Sequence, residues 1–419
     1  MSSDGRIKAL HLNTFARQGG AARAAFRLHS ALRDHGVDSW MEVQQAKKNY
    51  PYVISPETPL QKLIAKIRPH LTRPVLRLQR TKNPIFHSLN LLPSGKVKRI
   101  NNSGFDVLHL HWINKEMLSV AEIGRFKLPI VWTLHDGWPF CGAEHHTRIE
   151  GRERYRIGYT SGNRDFDHEG IDIDRWVWRR KCRHWRSQEF VLVAPSQWMA
   201  KCARQSVLFS DSSVKVIPNA VDTDKYKPLD PCFSRKALNL PQKANLILFG
   251  ALGLRNSPLK GLKLLREALG LLKNRLDVEL VAVGETDNTK NWKLPFKTHN
   301  LGRLNDATTL ALAYSAANLV VVPSKIESFG LMAAESLACG TPCVGFAATG
   351  LQDVVDHKRN GFLATPYNPG SLAEGVQWVL GRESGKLKQS ARSKAENSFS
   401  KEIVAQSSKN LYQDILCSV

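Results

Sequence analysis

The chain has 419 residues, a length that corresponds to two or three domains of ordinary size and excludes a single small module. Hydrophobic residues make up 42% and charged residues 23%, which is ordinary globular usage and excludes a disordered chain. Sixty lysines and arginines against 37 aspartates and glutamates give a net charge of +23, which favours anionic partners such as nucleic acid, lipid headgroups or phosphorylated small molecules.

The cysteines and the apolar stretches indicate the cellular compartment in which the protein is found. Seven cysteines are scattered from Cys141 to Cys417, which is not the pattern of a disulfide framework and favours a reducing environment. The opening MSSDGRIKALHLN lacks the apolar core of a signal peptide, and polar residues interrupt the longest uncharged stretch, residues 307–324. We therefore expect a cytoplasmic protein, either soluble or peripheral on the inner face of the cytoplasmic membrane.

The first half of the chain alternates between strand and helix patterns. The apolar run IKALHLN is followed by Gly19, Gly20 and a helical stretch that ends at Gly36. The later runs FDVLHLHW, LPIVWTLHD and EFVLVAPS are separated by helical segments. This alternation is typical of a parallel sheet that is covered on both faces.

A basic segment interrupts this alternation between Thr58 and Ile100, where ten lysines and arginines occur without an acidic residue. Apolar residues recur at near-helical spacing, and Pro69 and Pro74 predict a break, so we expect a basic amphipathic hairpin. Two interpretations of the Lys62–Arg99 region stay open: a solvated helix face, or a surface that contacts an anionic membrane or a lipid-linked substrate. The absence of interleaved aromatic residues disfavours nucleic acid.

The alternating pattern begins again at Asn245 with the strand-like runs ANLILFGAL, DVELVAVG, NLVVVPS and TPCVGF. The sequence thus predicts an α/β protein with two Rossmann-like, doubly wound domains that face a cleft. A proline-rich stretch places the boundary near Pro228. The predicted domains are 1–227 and 228–395, followed by a helix over 396–419.

The segment VVVPSKIESFGLMAAESLACGTPCVGF is the most informative part of the chain. Its buried strand ends at Pro323, and the pattern predicts a helix that begins close to Ser328 with its free backbone amides available to phosphate. Glu327 and Glu335 are eight residues apart, which is roughly 12 Å along a helix. Carboxylates at this distance can accept hydroxyl hydrogen bonds from both ends of a nucleotide sugar.

This segment resembles the retaining GT-B glycosyltransferases of family 4, and the stretch 139–185 resembles the first-domain insertion of their exopolysaccharide and colanic-acid type. ESFGLMAAE, ACGTPCV, TGLQDVV and NGFLA carry the resemblance, which extends to GGAARAA and PIVWTLHD in the first half. It implies a GT-B fold in which residues 1–227 bind the acceptor, residues 228–395 bind the nucleotide sugar and the helix over 396–419 crosses back to the first domain. It also implies transfer of a sugar, with retention, from a UDP-sugar or, as the next choice, a GDP-sugar. The implied acceptor is a saccharide or lipid-linked saccharide in surface polysaccharide synthesis.

The resemblance also implies roles for individual residues in the second domain. Glu335 would bind the ribose hydroxyls, and Glu327 would contact hydroxyls of the transferred sugar. Lys260 and Arg255 would neutralise the diphosphate. Backbone amides would contact the phosphates at Ser328, Phe329, Gly330 and Leu331.

In the first domain, His135 matches the histidine that faces the donor sugar in this family, and its neighbour Asp136 would orient it or meet the acceptor. Gly19 and Gly20 would line the phosphate or acceptor side of the cleft through their backbone. His109 and His111 point to the same face of a strand, and we expect buried core histidines rather than ligands.

The chemistry is expected to need no metal and no cofactor, because fixed cations and amides can stabilise a departing diphosphate where no metal-binding Asp-x-Asp is present. Retention could use a carboxylate nucleophile. No residue is well placed for that role, so we favour a front-face mechanism in which the leaving phosphate accepts the proton of the acceptor.

The stretch 139–185 predicts an insertion, since it is rich in arginine, histidine and tryptophan and has little periodicity. We favour an acceptor-binding loop, because these side chains stack on sugars and bind them with bidentate hydrogen bonds. Zinc binding is the alternative, although no regular ligand spacing supports it. Its candidate ligands are Cys141, His145, His146, Cys182 and His184.

Two rival functions remain at this point. One is another GT-B enzyme, a phosphorylase or a nucleotide-sugar epimerase, although no setting for a pyridoxal lysine is evident. The other is a basic membrane- or nucleic-acid-binding protein on an inactive GT-B fold.

Overall fold

The computed structural model describes residues 5–146, 153–164, 166, 168–250, 257–273, 275–284 and 292–418. The chain divides into two compact units. The first unit comprises residues 1–217 together with 404–419, and the second unit comprises residues 218–403. The division thus follows Ile217, whereas the sequence pattern placed it near Pro228.

The described part of the first unit forms a seven-stranded parallel sheet with the strand order β3-β2-β1-β4-β5-β6-β7. β1 lies inside the sheet between β2 and β4, and its residues from Ala9 to Thr14 are buried, as expected for a strand covered on both faces. The strands are β1 (Lys8–Phe15), β2 (Asp38–Gln45), β3 (Val53–Ile54), β4 (Val107–Leu110), β5 (Ile130–Thr133), β6 (Phe190–Ala194) and β7 (Ser213–Val216).

The helices of this unit pack around an apolar core that includes Trp132, Trp138 and Trp185. They are α1 (Gly20–Asp34), α2 (Pro59–Leu71), α3 (Arg73–Arg77), α4 (Val97–Asn101), α5 (Val120–Ile123), α6 (Arg154–Ile157), α7 (Ile173–Trp185) and α8 (Gln197–Arg204).

Helix α2 continues through Pro69, so the prediction that this proline interrupts the helix is wrong. A proline inside a helix leaves the carbonyl four residues earlier without its amide donor. That carbonyl belongs to Ala65, and it accepts hydrogen bonds from the side-chain amides of Gln44 (3.1 Å) and Gln45 (3.0 Å). These two glutamines replace the missing bond. Pro74 lies in the first turn of α3, where proline is tolerated.

The described part of the second unit forms a six-stranded parallel sheet with the order β10-β9-β8-β11-β12-β13. Both sheets confirm the predicted doubly wound α/β architecture. The strands are β8 (Asn245–Gly250), β9 (Val278–Val283), β10 (Thr298–Asn300), β11 (Leu319–Val322), β12 (Cys343–Phe346) and β13 (Gly361–Ala364).

Several helices of the second unit have side-chain N-caps. Asp306 caps α11 and Asn368 caps α14, each by accepting a hydrogen bond from a backbone amide of the first turn. The helices are α9 (Pro231–Ala237), α10 (Leu262–Leu272), α11 (Ala307–Ala316), α12 (Leu331–Ala338), α13 (Leu351–Val354), α14 (Pro369–Leu380), α15 (Ser384–Phe399) and α16 (Lys401–Cys417), and a 3₁₀ helix covers Pro258–Lys260. From Val404 onward, α16 belongs to the first unit. Within the described residues, no helix combines the length and apolarity that a membrane span requires.

Candidate functional site

The most informative sequence segment forms the turn between β11 and α12. The helix begins at Leu331, later than the predicted start near Ser328, because Gly330 adopts a left-handed conformation with a φ of 103°. A Cβ atom at Gly330 would lie 2.6 Å from Cδ2 of Leu351. Only glycine fits this conformation and this close contact. Glu327 therefore lies in the turn, while Glu335 lies inside α12.

The TGL residues 349–351 hold this turn from one side. The backbone amide of Glu327 donates to Oγ1 of Thr349 at 3.0 Å, and the amide of Gly350 donates to the carbonyl of Glu327 at 2.8 Å. A Cβ atom at Gly350 would lie 2.5 Å from the carbonyl oxygen of Ser328, so the two segments are in close backbone contact. Sequence reasoning noted this motif but did not assign it the role of fixing Glu327.

The 3₁₀ helix and Gly261 hold the same turn at Pro323 and Lys325. The amide of Lys325 donates to the carbonyl of Leu259 at 2.7 Å. Gly261 has a φ of 74°, and a Cβ atom there would lie 1.9 Å from the carbonyl oxygen of Pro323. The glycine of the KG pair thus permits the close approach that positions Lys260 beside the turn.

Lys260 and Glu327 form an ion pair at this point, with Nζ and Oε1 2.9 Å apart. The side chain of Lys260 remains 42% exposed. The nearby Glu327 carboxylate raises the pKa of the Lys260 ammonium, which therefore keeps its charge at neutral pH. The second predicted cation, Arg255, lies outside the described residues.

Glu335 is buried in α12 with 1% of its surface exposed. The hydroxyl of Tyr314 donates to its Oε2 at 2.9 Å. Phe329 is also buried and packs edge-on against Phe399, which fixes the backbone of the turn. The ribose contact of Glu335 and the phosphate contacts of the backbone amides at 328–331 stay predictions.

His135, in the first unit, directly follows β5 and Leu134. Its Nε2 lies 3.1 Å from Nδ1 of His111, and Nε2 of His111 lies 2.9 Å from Nδ1 of His11, so three rings share a line of hydrogen bonds. Burial lowers the pKa of His135 to about 4. His135 is therefore neutral at physiological pH and can act as a hydrogen-bonding group but not as a resident acid.

His109 and His111 are both buried, as expected for core histidines. Nδ1 of His109 lies 2.6 Å from the Tyr412 hydroxyl of α16, and its Nε2 lies 2.7 Å from Oγ1 of Thr133. The ring of His109 also stacks on that of His111 at 4.3 Å between centroids. These contacts tie α16 to the sheet of the first unit.

Asp136 forms hydrogen bonds that the sequence did not indicate. Its Oδ2 accepts from Nδ1 of His145 at 2.6 Å and from the indole nitrogen of Trp112 at 2.8 Å, and its Oδ1 accepts from the amide of Trp138. Burial alone would raise the pKa of Asp136, but His145 and the donated hydrogen bonds lower it to about 2. Asp136 is therefore a fixed carboxylate beside His135.

The predicted insertion is largely packed into the first unit. Lys181 of α7 is fully buried and donates to the carbonyls of Trp138, Cys141 and Gly142, and burial lowers the pKa of its ammonium to about 7. The proposed zinc ligands Cys141, His145, His146, Cys182 and His184 do not form a metal-sized group among the described residues.

Gly19 and Gly20 lie at the exposed start of α1. Gly19 is the N-terminal cap, with a φ of 90°, and its carbonyl accepts from the amide of Arg23. The free amides of the first turn of α1 are thus available at this end of the sheet. Their contact with phosphate or acceptor stays a prediction.

Comparison with known proteins identifies the family of this chain. The family model "Glycosyltransferase Family 4" matches residues 18–225, and "Glycosyl transferases group 1" matches residues 233–398. A D-inositol 3-phosphate glycosyltransferase of Catenulispora acidiphila is 35% identical over 183 residues, which are 40% of this chain and 42% of that protein. The chain thus spans about two fifths of the length of this curated relative.

Solved structures extend the likeness over the whole chain. Sucrose-phosphate synthase from Thermosynechococcus elongatus has a TM-score of 0.68 at 18% identity, covering 99% of this chain and 100% of that one. HepE of Anabaena, solved with UDP and glucose, has a TM-score of 0.65 at 17% identity, covering 97% and 100%. The exopolysaccharide type stays a prediction. The structural neighbours show the GT-B fold, and the two family models show that the chain belongs to glycosyltransferase family 4.

Proposed function

We propose that this glycosyltransferase moves a sugar, with retention, from a UDP-sugar or, as the next choice, a GDP-sugar to a saccharide or lipid-linked saccharide in surface polysaccharide synthesis. The observation that carries the proposal is the ion pair of Lys260 and Glu327 in the turn before α12. Two segments, residues 349–351 and 258–261, hold the backbone of this turn, so its charged groups are held in place before a ligand arrives.

The diphosphate of the donor would be bound by Lys260, by Arg255 and by the backbone amides at 328–331. Negative charge develops on this group as the bond to the sugar breaks, and donors that are already oriented stabilise such charge without reorganising. In this proposal the fixed ammonium of Lys260 takes the part that a divalent ion plays in other transferases, so turnover needs no added metal.

The transferred sugar would contact Glu327 and His135. The Glu327 carboxylate accepts hydrogen bonds from sugar hydroxyls. To do so, it gives up part of its contact with the Lys260 ammonium. His135 interacts as a neutral imidazole, because its pKa of about 4 keeps it unprotonated. The departing phosphate then accepts the proton of the acceptor hydroxyl on the same face of the sugar, which retains the configuration.

The names of the curated relatives favour a second acceptor class, a phosphorylated polyol such as inositol 3-phosphate. The net charge of +23 suits an anionic acceptor of this kind. A panel that contains inositol 3-phosphate, free oligosaccharides and polyprenyl-diphosphate saccharides separates the two classes by which acceptor gives a new glycoside.

The donor is tested first by thermal shift with UDP-, GDP- and ADP-sugars and then by product formation. We expect the largest shift with a UDP-sugar. Product formed only when free phosphate is supplied would indicate a phosphorylase, and conversion of the donor alone would indicate an epimerase. Vesicle or DNA binding with no nucleotide affinity would identify an inactive fold and would contradict the proposal.

Glu335→Ala is expected to weaken binding of the donor nucleotide by about 1 to 3 kcal/mol, because it removes the acceptor of the ribose hydroxyls. Isothermal titration calorimetry with the nucleoside diphosphate measures this change. Tyr314→Phe is the matched control, since it removes the hydroxyl that donates to Glu335 but keeps the carboxylate. An affinity that Glu335→Ala leaves unchanged would defeat the ribose assignment.

We also propose that α2 and α3 contact an anionic lipid surface. Helix α2 exposes an apolar stripe that consists of Leu60, Leu63, Ile64, Ile67 and Leu71. The most exposed of the five is Leu60, at 66%. Lys62 and Lys66 are exposed beside it, and Arg73 and Arg77 are exposed on α3. An apolar stripe flanked by cations is the pattern of an interfacial helix.

Other cations of the Lys62–Arg99 region have structural partners. Arg68 donates to the carbonyls of Leu92, Pro93 and Glu116. Lys96 and Arg99 pair with the buried carboxylate of Glu42. The lipid-facing charge is therefore assigned to the cations of α2 and α3 and not to the whole segment.

Replacing Lys62, Lys66, Arg73 and Arg77 by glutamine is expected to lower the affinity for phosphatidylglycerol vesicles at least tenfold at low salt, since each cation near the lipid contributes about 1 kcal/mol. Co-sedimentation at increasing ionic strength measures the change, and the wild-type affinity should fall as salt is added. The control replaces the same number of exposed lysines in the second unit: Lys227, Lys236, Lys243 and Lys273. Equal losses in both variants would favour the solvated-face interpretation.

A further inference from the structure

A second cluster of ligand-type side chains lies in the first unit, away from the residues assigned to transfer. His87, His168 and Asp174 are buried together, and their ligand atoms all lie within 4.8 Å of one another. Nε2 of His87 is 3.6 Å from Oδ1 of Asp174, and Nε2 of His168 is 3.8 Å from Oδ2 of the same carboxylate. Each of the three side chains is more than nine-tenths buried.

Polar atoms of this cluster lack the hydrogen bonds that burial normally requires. Within the described part of the chain, Nε2 of His87, Oδ1 of Asp174 and Oε2 of Glu144 have no hydrogen-bond partner. Glu144 lies beside Asp174 but is not one of the three residues whose ligand atoms converge. Buried polar atoms without partners are costly, and several that converge on one point indicate a ligand.

The ring of His87 is oriented as a metal ligand. Its Nδ1 lies 2.7 Å from the carbonyl oxygen of Ile85, which can only accept, so Nδ1 carries the proton. In the neutral ring Nε2 then presents its lone pair toward Asp174. A backbone carbonyl that accepts from the second ring nitrogen is the usual support of a metal-bound histidine.

His168 is positioned by Gln79, whose side-chain amide lies 2.7 Å from Nδ1 of the ring and 2.6 Å from Oδ2 of Asp174. Oε1 of Gln79 is buried and has no hydrogen-bond partner among the described residues. Metal binding through Nε2 of His168 requires its Nδ1 to carry the proton, so the Gln79 amide would have to turn its Oε1 toward Nδ1 and away from Asp174. A cation would then replace Gln79 as the partner of Asp174.

We propose that His87, His168 and Asp174 bind a divalent transition-metal ion that has a structural role, with water as the fourth ligand. Two imidazoles and one carboxylate, completed by a water molecule, are a donor set suited to Zn²⁺. Tetrahedral Zn²⁺ places its donor atoms about 3.3 Å apart, so the observed separations of 3.6 and 3.8 Å need only a small contraction.

The ion would fasten together distant parts of the chain. Its ligands come from the segment between α3 and α4, which holds His87, and from the second half of the 139–185 insertion, which holds His168 and Asp174 of α7. A bond between such distant residues stabilises the folded state because it closes long loops. The ion takes no part in sugar transfer, so the inference does not depend on the proposed function. It also uses residues other than those first considered for zinc.

Metal binding is tested on the full chain without an affinity tag. The protein is stripped with a chelator, dialysed and titrated with Zn²⁺, and the bound metal is counted by mass spectrometry. We expect one equivalent of Zn²⁺ and a rise in the melting temperature. Co²⁺ in place of Zn²⁺ should give the visible absorption bands of a tetrahedral site, a readout that requires no variant.

Two variants locate the site, His87→Gln and Asp174→Asn, and both should lose the equivalent of metal and the thermal shift. His70→Gln, which changes an exposed histidine of α2, is the control and should keep both. The proposal is overturned if the wild-type chain binds no Zn²⁺ and shows no Co²⁺ bands. Retention of the metal by both variants also overturns it and would point to the set His11, His109 and His111.

Discussion

Replacing Lys260 by alanine is expected to lower kcat by about 10²- to 10³-fold, the loss that follows removal of one fixed donor to a developing negative charge. The free energy of unfolding should change by less than about 1 kcal/mol, because a partly exposed ion pair contributes little to stability. Steady-state kinetics with the best donor, together with guanidinium unfolding, measures both quantities.

Lys263→Ala is the matched control. Lys263 lies one turn further along the chain, its side chain is 80% exposed, and it pairs with Glu267 at 3.9 Å. This variant removes the same charge from the same region and should keep kcat within about twofold of the wild type. If Lys260→Ala turned over as fast as Lys263→Ala, Lys260 would have no place in the transfer site.

The first unit is expected to lose stability steeply as the pH falls below 6.5. Burial lowers the pKa of His29 and His135 to about 4 and that of His109 to about 3, and it lowers those of His11 and His111 well below their ordinary value. These rings stay neutral in the folded state but gain protons when the chain unfolds. The unfolded state therefore binds more protons between about pH 6.5 and 4, so stability falls as pH falls.

The size of this effect follows from proton linkage. Each histidine that gains a proton on unfolding costs about 1.4 kcal/mol per pH unit, and five of them approach the whole stability of an ordinary domain within one or two pH units. We expect the first unit to unfold near pH 5. Tryptophan fluorescence reports on it selectively, because eight of the ten tryptophans lie in this unit.

Variants separate this cause from general acid sensitivity. His29→Asn should reduce the proton uptake on unfolding by about one, while His70→Gln, at an exposed site, should leave it unchanged. Denaturant unfolding at several pH values between about 5.5 and 7, where the unit is still folded, gives the uptake as the slope of free energy against pH. A slope of less than one proton for the wild type would show that these histidines are not held neutral.

Much of the fold could be predicted because the strands are buried on both faces. Runs such as LVVV in β11 and CVGF in β12 are continuous apolar segments, and the helices between them have ordinary periodicity. The turn and helix that carry Glu327, Gly330 and Glu335 were also predictable, since these residues are close in sequence. Lys260 could be placed only by resemblance, because its contact with Glu327 spans 67 residues.

Other features depend on contacts between distant residues, which have no local signal. Pro69 fits inside α2 because Gln44 and Gln45 bond to Ala65, some 20 residues away. The sequence predicts that Lys181 is a surface cation of an arginine-rich helix. It is buried instead, because three carbonyl groups some 40 residues earlier accept hydrogen bonds from its ammonium. Likewise, the meeting of His87 with Asp174 could not be anticipated from spacing.

The central claim is that the turn before α12 and Lys260 bind the donor diphosphate without a divalent ion. A crystal structure of the protein grown with a UDP-sugar or GDP-sugar and without magnesium or manganese tests it most directly. We predict phosphate oxygens about 3 Å from Nζ of Lys260 and from backbone amides at 328–331. A diphosphate bound elsewhere, or no binding until magnesium is added, would contradict the account.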